Sequence, residues 1–351
     1  MNIVHIVQYD EKFNYINFFM TYYIEGYNHY FIFIPNKSIN NEDLQKRLGY
    51  NSIYLDSLKK IPKLKKIILQ ADKIIVSGVF SVKIIYFLLP NSVMDKVYLH
   101  FWGGDYTQYK ANRNFSTIIK KYFLKRLIYK CKCILNLVSG EYDLFYDVFK
   151  IQKDHFVASF PVNPKRDINY KELISNNNND KVLIVVGNSA TPSNCHHDVF
   201  KVLSRFNNNF EVHCPLAYGE NTYLENVINE GKYFFKDNFF PQTSMLSYED
   251  YIKFLSSCRI GIFGNNRQQG MGNITLMLRL GKKVYMRSDT PMWNRYRDMG
   301  VSVYDIEELK QKSWEQILYF DENIKNKNIE ILTVANFIEK AKNEWTQILQ
   351  N

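Results

Sequence analysis

The sequence predicts an α/β protein built from two Rossmann-like halves, and three observations lead to this prediction. Short apolar segments typical of buried strands alternate with longer segments of helical periodicity. The alternation stops between Phe160 and Asp180, where prolines and a run of asparagines are typical of a linker, and then resumes. The chain has 351 residues, which is enough for two domains of ordinary size.

The alternating pattern gives a definite set of elements. In the first half we predict strands at 2–7, 30–34, 73–77, 96–101 and 133–138, and helices at 15–23, 80–89 and 117–129. In the second half we predict strands at 181–186, 210–214, 259–263 and 283–286, and helices at 196–205, 221–231, 248–257, 272–280 and 291–299. The resulting organisation is an N-terminal domain at 1–160, a linker at 161–180, a C-terminal domain at 181–325 and a C-terminal helix at 326–351.

Composition limits the function classes without selecting one. The chain carries 45 basic and 35 acidic residues, and this balance favours anionic partners such as phosphates, nucleic acid or acidic lipid headgroups. Its five scattered cysteines do not suggest a disulfide framework. The apolar stretches are shorter than the roughly 20 residues that a membrane-spanning helix needs, so we expect a soluble or peripheral protein. Zinc, P-loop and serine-hydrolase motifs are absent from the sequence.

Two segments of the second half have the character of phosphate-binding loops. The first follows a buried strand and contains Gly187, Asn188 and Ser189 ahead of a helix. Glycine allows the backbone to approach a ligand closely, and a helix N-terminus attracts anions. Taken alone, this segment could equally be a strand–helix turn in which Ser193 or Asn194 caps the helix.

The second segment lies between a predicted strand and a predicted helix, at residues 263–273. Arg267 provides a permanent charge whose fork geometry suits phosphate oxygens. Gly270 and Gly272 would let backbone amides face the same ligand. A polar loop without a ligand is the alternative interpretation.

A third segment supplies a candidate general base. A predicted strand leads into His100, Phe101 and Trp102 and then a flexible turn, Gly103 and Gly104, that carries Asp105. A carboxylate at the carboxyl end of a parallel strand is well placed for proton transfer in a cleft. Asp10, in the loop after the first strand, would reach the same edge of the sheet and is the rival candidate.

A fourth segment, at residues 118–133, predicts an amphipathic helix with a purely cationic polar face. It contains Lys120, Lys121, Lys125 and Arg126 and no acidic residue. Such a face is typical of helices that bind an anionic membrane surface. A solvated helix packed on its sheet is the alternative.

These segments together resemble glycosyltransferase family 56, the TDP-N-acetylfucosamine:lipid II N-acetylfucosaminyltransferases of enterobacterial common antigen synthesis. The resemblance runs over roughly residues 1–305, and its most specific part is the stretch from Arg267 to Gly272. The family usually has Gly-Ala-Asp where this chain has Gly103, Gly104 and Asp105.

The resemblance implies a GT-B fold, in which two Rossmann-like domains face an interdomain cleft, and an inverting transfer without a metal or other cofactor. A deoxy-amino sugar would pass from a nucleoside-diphosphate donor, expected to be dTDP-linked, to a polyprenyl-diphosphate-linked saccharide. The place would be the cytoplasmic face of the bacterial inner membrane, in enterobacterial common antigen or O-antigen synthesis. Asp105 or Asp10 would be the base, and His100, Trp102, Gly103 and Gly104 would lie on the acceptor side. The donor side would comprise Gly187, Asn188, Ser189, Tyr218, Gly219, Arg267, Gln268, Gln269, Gly270, Met271 and Gly272.

The sequence also leaves three other function classes open. A sugar-nucleotide epimerase with the same fold would convert the donor without an acceptor. A basic protein that binds nucleic acid would lose affinity steeply with salt, although no recognisable nucleic-acid module is present. A non-catalytic membrane-surface scaffold would bind vesicles but no nucleotide.

Overall fold

The protein is described by a computed structural model that covers residues 1–8, 14–34, 51–111, 114–161, 181–206 and 210–351. The chain divides into two compact units, Met1–Pro164 with Phe337–Asn351, and Lys165–Asn336. Asp10 and most of the predicted linker lie outside the described residues. Within the described residues, no helix combines the length and the apolar character that crossing a bilayer requires.

The first unit is built on a seven-stranded parallel sheet with the order β3-β2-β1-β4-β5-β6-β7. The strands are β1 (Asn2–Gln8), β2 (Asn28–Ile34), β3 (Ser52–Tyr54), β4 (Lys73–Ser77), β5 (Val97–Phe101), β6 (Cys133–Asn136) and β7 (His155–Val157). Most of their residues are apolar and buried, as expected for strands covered on both faces. The order reverses between β1 and β4, and such a switch point is where ligands bind in open α/β sheets.

Helices cover both faces of this sheet. They are α1 (Asn14–Tyr23), α2 (Ile61–Leu69), α3 (Val82–Leu88), α4 (Gly104–Ala111), α5 (Phe115–Lys130) and α6 (Glu141–Phe149). The last helix of the chain, α14 (Val334–Gln350), returns to this unit, where Trp345 is fully buried beside α1 residues in one of the two apolar cores. The indole nitrogen of Trp345 donates to the carbonyl of Ser159 over 2.9 Å, which fixes the end of the chain on the sheet.

The second unit repeats the design with a six-stranded parallel sheet of order β10-β9-β8-β11-β12-β13. Its strands are β8 (Val182–Val186), β9 (Phe210–Pro215), β10 (Phe239–Gln242), β11 (Ile260–Phe263), β12 (Lys283–Met286) and β13 (Tyr304–Asp305). Its helices are α7 (His196–Leu203), α8 (Asn221–Phe235), α9 (Tyr248–Ser257), α10 (Met271–Arg279), α11 (Pro291–Asp298), α12 (Trp314–Leu318) and α13 (Glu322–Ile331). The switch point of this sheet lies between β8 and β11.

The predicted α/β architecture is confirmed, and every predicted strand and helix overlaps an observed one. The flexible turn predicted before Asp105 is wrong, because α4 begins at Gly104 and Asp105 lies in its first turn. The short edge strands β3, β7, β10 and β13 were not predicted. Three of them have only two or three residues, and the fourth, β10, contains Pro241, which argues against a strand in a sequence.

Candidate functional site

The carboxyl edge of the second sheet gathers the two predicted phosphate loops at one switch point. Strands β8 and β11 are hydrogen-bonded neighbours, with Val186 aligned to Ile262. The loops that follow these strands therefore meet, and the backbone N–H of Asn266 donates to the backbone carbonyl of Ser193 over 2.9 Å. Pro192–Asn194 forms a short 3-10 turn, and neither Ser193 nor Asn194 is the N-cap of α7, which is Cys195.

The loop after β8 is shaped by Gly187 and Asn194. Gly187 has φ of +70°, and a Cβ atom there would lie 2.4 Å from Nε2 of His196, so only glycine fits without displacement. The buried amide of Asn194 accepts a hydrogen bond from the backbone N–H of Asn188 over 2.9 Å. Burial lowers the pKa of His196 to about 4, so this imidazole is neutral at physiological pH. The loop is thus uncharged and is held in place by these contacts.

Gln269 joins the two loops through its side-chain amide. Its nitrogen donates to the hydroxyls of Ser189 over 2.8 Å and Thr191 over 2.7 Å, while its oxygen accepts from Ser193 over 2.5 Å. All four groups are neutral, and together they satisfy one another in a partly buried position. Buried polar networks that are fully satisfied rigidify their surroundings, so Gln269 fixes the separation of the loops.

A second chain of neutral groups runs from β11 to the loop after β9. Asn265 donates to Oδ1 of Asn188 over 3.0 Å, and Nδ2 of Asn188 donates to the hydroxyl of Tyr218 over 3.1 Å. Oδ1 of Asn188 also lies only 2.6 Å from where a Cβ of Gly270 would be, and Gly270 has φ of +69°. Asn188 is thereby held between two loops and has almost no exposed surface, whereas the ring of Tyr218 is half exposed.

Arg267 supplies the positive charge of this region. Its guanidinium donates to the carbonyl of Gln268 over 3.3 Å, and within the described part of the chain no carboxylate pairs with it. Burial lowers the pKa of Arg267, and the neighbouring Tyr218 partly opposes this. A half-buried cation without an anionic partner is costly, and an anionic ligand would offset that cost.

The other predicted donor residues surround these groups. A Cβ at Gly219 would lie 2.1 Å from the carbonyl oxygen of Ala190, with which this segment forms a parallel bridge. Met271 begins α10, and its N-cap, Gly270, offers no side chain to the N–H groups of the first turn. Gly272 is exposed, with open space where a Cβ would lie. The free N–H groups of such a helix end attract anions.

Asp105, the predicted base, is fully buried at the carboxyl edge of the first sheet. Its carboxylate accepts the backbone N–H of Val79 over 3.0 Å and that of Trp102 over 3.0 and 3.1 Å. The carboxylate therefore connects the loop after β4 to the loop after β5. Burial raises the pKa of Asp105 to about 7, although its backbone hydrogen bonds act in the opposite direction.

A second buried carboxylate, Glu141 at the start of α6, faces the same region. Burial, and then the charge of Asp105, raises the pKa of Glu141 to about 8. The hydroxyl of Tyr106 donates to Oε1 of Glu141 over 3.4 Å, and Tyr106 follows Asp105 in the first turn of α4. Glu141 was not predicted from the sequence, because a lone acidic residue at a helix start is an ordinary feature of solvated helices.

The four predicted acceptor-side residues divide into buried and accessible ones. His100 is enclosed by the rings of Trp102, Phe160 and Trp345, and burial lowers its pKa to about 3. Gly103 is buried as well. Trp102 and Gly104 are partly exposed and lie beside Phe80, a residue that has no distinguishing pattern in the sequence.

The predicted basic helix exists as α5, but its exposed face is not purely cationic. Leu124, Leu127 and Ile128 are buried against the unit. Lys125 and Arg126 are exposed and Lys120 and Lys121 are partly exposed. The same helix also exposes four large apolar side chains, Phe115, Ile118, Tyr122 and Tyr129. The helix therefore carries more apolar residues than its buried face can accommodate.

Comparison with known proteins places the chain in a family. The sequence profile described as 4-alpha-L-fucosyltransferase, glycosyl transferase group 56, matches residues 47–351. This match covers most of the chain, which therefore belongs to that family and is a glycosyltransferase. The resemblance inferred from the motifs is confirmed.

Solved structures show the same fold. A glycosyltransferase from Rickettsia africae ESF-5 is 14% identical with a TM-score of 0.66, and the match covers 100% of this chain and 99% of that one. Alr3699/HepE from Anabaena, solved in complex with UDP and glucose, is 11% identical with a TM-score of 0.65, over 100% and 99%. The lipopolysaccharide outer core galactosyltransferase WaaB is 13% identical with a TM-score of 0.64, over 99% of each chain. At these identities the likeness establishes the fold, which is GT-B with two parallel-sheet domains.

Proposed function

We propose that the protein transfers a deoxy-amino sugar resembling N-acetylfucosamine from a dTDP-linked donor to a polyprenyl-diphosphate-linked saccharide, with inversion at the anomeric carbon. The single observation that supports the donor class best is Arg267, a half-buried guanidinium without a carboxylate partner in the described residues, set among neutral groups. A nucleoside diphosphate is the anion that leaves when a sugar is transferred from a nucleoside-diphosphate donor, so this donor would supply the missing anionic partner.

The donor's diphosphate lies, in this proposal, on the loops after β8 and β11. Arg267 binds the phosphate oxygens, and the N–H groups at the start of α10, which no side chain caps, would donate to the same phosphates. Asn188, Ser189 and Gln269 hold the loops in position through their mutual hydrogen bonds. Charge develops on the leaving diphosphate, and preorganised donors of this kind stabilise it in the transition state. HepE, which has a similar fold, was solved in complex with UDP, and this supports a nucleotide-linked donor for the present protein.

The base is, in this proposal, Asp105, with Asp10 as the alternative. A carboxylate whose pKa is raised to about 7 is well matched to accepting a hydroxyl proton near neutral pH. Because the side chain of Asp105 has no exposed surface, this role requires the loop that contains Val79 or Trp102 to move when the acceptor binds. The attacking oxygen then bonds to the anomeric carbon as the nucleoside diphosphate leaves.

The partner membrane is, in this proposal, the anionic cytoplasmic face of the bacterial inner membrane, contacted by α5. Lys125 and Arg126 lie on its exposed face together with Tyr122 and Tyr129. Basic residues attract anionic headgroups, and tyrosines are favoured at the interface between headgroups and acyl chains. This arrangement would keep the protein near a lipid-linked acceptor in enterobacterial common antigen or O-antigen synthesis.

The experiment that tests the proposal combines the purified protein with dTDP-N-acetylfucosamine and a short-chain polyprenyl-diphosphate disaccharide. Mass spectrometry should detect an acceptor heavier by one sugar, and NMR of the new glycosidic bond should show an inverted anomeric centre. UDP- and GDP-linked sugars serve as controls for the nucleotide. Conversion of the donor without acceptor would instead indicate an epimerase and would contradict the proposal.

A further inference from the structure

The loop after β4 carries an exposed aromatic side chain, Phe80, at the switch point of the first sheet. Strand β4 pairs directly with β1, where the strand order reverses. Phe80 is 42% exposed, although the preceding Val79 is fully buried. Ligands of parallel α/β sheets bind at this edge. An apolar ring exposed there is therefore in a position to contact one.

Hydrogen bonds anchor this loop on both sides of Phe80. The N–H of Val79 donates to Asp105, and the N–H of Phe80 donates to the carbonyl of Gly78 over 2.9 Å. After Phe80, the hydroxyl of Ser81 donates to Gln8 at the end of β1 over 2.7 Å. The backbone on both sides of Phe80 is therefore held by hydrogen bonds, and the ring is exposed on a loop whose position is fixed.

Trp102 completes an aromatic pair with Phe80. The two ring centroids are 6.4 Å apart at an interplanar angle of 64°. The Asp105 carboxylate accepts the backbone N–H of Trp102 as well as that of Val79, so one buried group anchors the backbone of Trp102 and the backbone that precedes Phe80. Gly78 makes room for Trp102, because a Cβ at Gly78 would lie 2.8 Å from the Trp102 ring, whereas one at Gly104 would make only an ordinary contact with Phe80 at 3.7 Å.

We infer that Phe80 and Trp102 form a platform that binds a sugar ring of the acceptor saccharide. This inference rests on the proposed transferase function and identifies the acceptor contact of the first unit. One face of a pyranose presents C–H groups, which are attracted to the negative face of an aromatic ring. Trp102 was predicted on the acceptor side, and Phe80 is an additional specificity-determining residue. An aromatic platform also suits a neutral sugar ring better than it suits the charged diphosphate of the donor.

Acceptor kinetics of Phe80 variants test the platform. The probes are dTDP-N-acetylfucosamine and a farnesyl-diphosphate-linked disaccharide that ends in an N-acetylhexosamine. Phe80→Ala should raise the KM for the acceptor roughly tenfold, the size of one good aromatic contact, while the KM for the donor stays unchanged. Phe80→Leu should show most of this loss, because it keeps apolar volume without a ring face, and Phe80→Tyr should restore binding.

Phe87 provides the matched control. It is an exposed phenylalanine of the same unit, 64% accessible, one element further along the chain on α3. Phe87→Ala should leave the KM for this short-chain acceptor unchanged. If Phe80→Ala changes the acceptor KM no more than Phe87→Ala does, or if Phe80→Leu behaves like wild type, the platform is wrong while the transferase function stands. Absence of any transfer by the wild-type protein would overturn the proposed function itself.

Discussion

The two sheets place different chemistry at equivalent positions. In each sheet the first strand, β1 or β8, has a neighbour on the other side of the switch point. This neighbour is β4 in the first unit and β11 in the second, and a loop follows each of them. The loop after β4 presents the aromatic ring of Phe80, whereas the loop after β11 presents the guanidinium of Arg267. The same backbone layout therefore offers an apolar ring in one unit and a cation in the other.

The groups that hold these loops in place also differ in charge between the two units. In the first unit the loops are held by a buried carboxylate, Asp105, whose pKa is raised to about 7. In the second unit they are held by neutral amides and hydroxyls around Gln269. A carboxylate disfavours an adjacent anion more than neutral groups do. Under the proposed function, this difference supports the donor's diphosphate at the loops of the second unit and the saccharide part of the acceptor beside Phe80 in the first.

The largest loss of turnover is expected from Asp105→Asn, which tests the carboxylate that holds the loops of the first unit. Loss of a general base typically lowers turnover by about 10²–10⁴, and we expect a loss in that range with the fold retained. In the wild type, kcat/KM should fall as the pH drops below about 7, because protonation of Asp105 removes the free base. The residual kcat/KM of the variant should not show this fall below pH 7, which is the acid limb of the pH profile. Rate measurements from pH 5 to 9 and a circular dichroism spectrum check both points.

Asp10→Asn is the companion variant for the base. If Asp105 is the base, Asp10→Asn keeps the pH limb near 7. Turnover like that of the wild type in Asp105→Asn, or loss of the limb in Asp10→Asn alone, would transfer the role to Asp10.

Arg267→Ala should cause the next largest loss. Removing one preorganised group that stabilises developing negative charge costs about 10²–10³ in kcat. Arg259→Ala is the matched control, because Arg259 immediately precedes β11 at the opposite end of the strand and is exposed. Steady-state rates and thermal unfolding of both variants distinguish lost chemistry from lost folding. Equal activity of the two variants would contradict a phosphate-binding role for Arg267.

The charge of α5 should matter for membrane binding and not for nucleotide binding. Each basic residue near an anionic surface contributes about 1 kcal/mol, so replacing Lys120, Lys121, Lys125 and Arg126 by glutamine should weaken vesicle binding by roughly fivefold for each residue. Sedimentation with phosphatidylglycerol vesicles measures this. A control variant with Lys201, Lys232, Lys236 and Lys253 replaced in the second unit has the same net charge and should bind like the wild type. Equal losses in the two variants would show that net charge alone is responsible.

The smallest effect is expected from Gln269→Ala. The variant loses hydrogen bonds that hold the two loops at the second switch point but no charge. A hydrogen bond contributes about 1 kcal/mol net, so we expect roughly a fivefold to tenfold rise in the KM for the donor. Steady-state kinetics at saturating acceptor measure it. An unchanged donor KM would mean that the loops keep their separation without this bridge.

The sequence predicted the architecture well because the buried parallel strands are short apolar runs that alternate with longer segments of helical periodicity. It also located the two loops that are proposed to bind phosphate, since glycines and an arginine after a strand are local signals. It could not show that Asp105 is fully buried or that Phe80 is exposed, because burial depends on residues far apart in the chain. The buried pairing of Asp105 with Glu141, 36 positions away, and the placement of Trp345 against His100 are of the same kind. These facts come from packing and have no local sequence pattern.

The central claim is that the loops after β8 and β11 hold one nucleoside diphosphate between them. Hydrogen–deuterium exchange with and without dTDP tests it most directly, with thymidine as the control that lacks phosphates. We expect dTDP, but not thymidine, to slow exchange in both segments 187–194 and 264–273. Protection that is absent from either segment, or that is equal with thymidine, would contradict the claim.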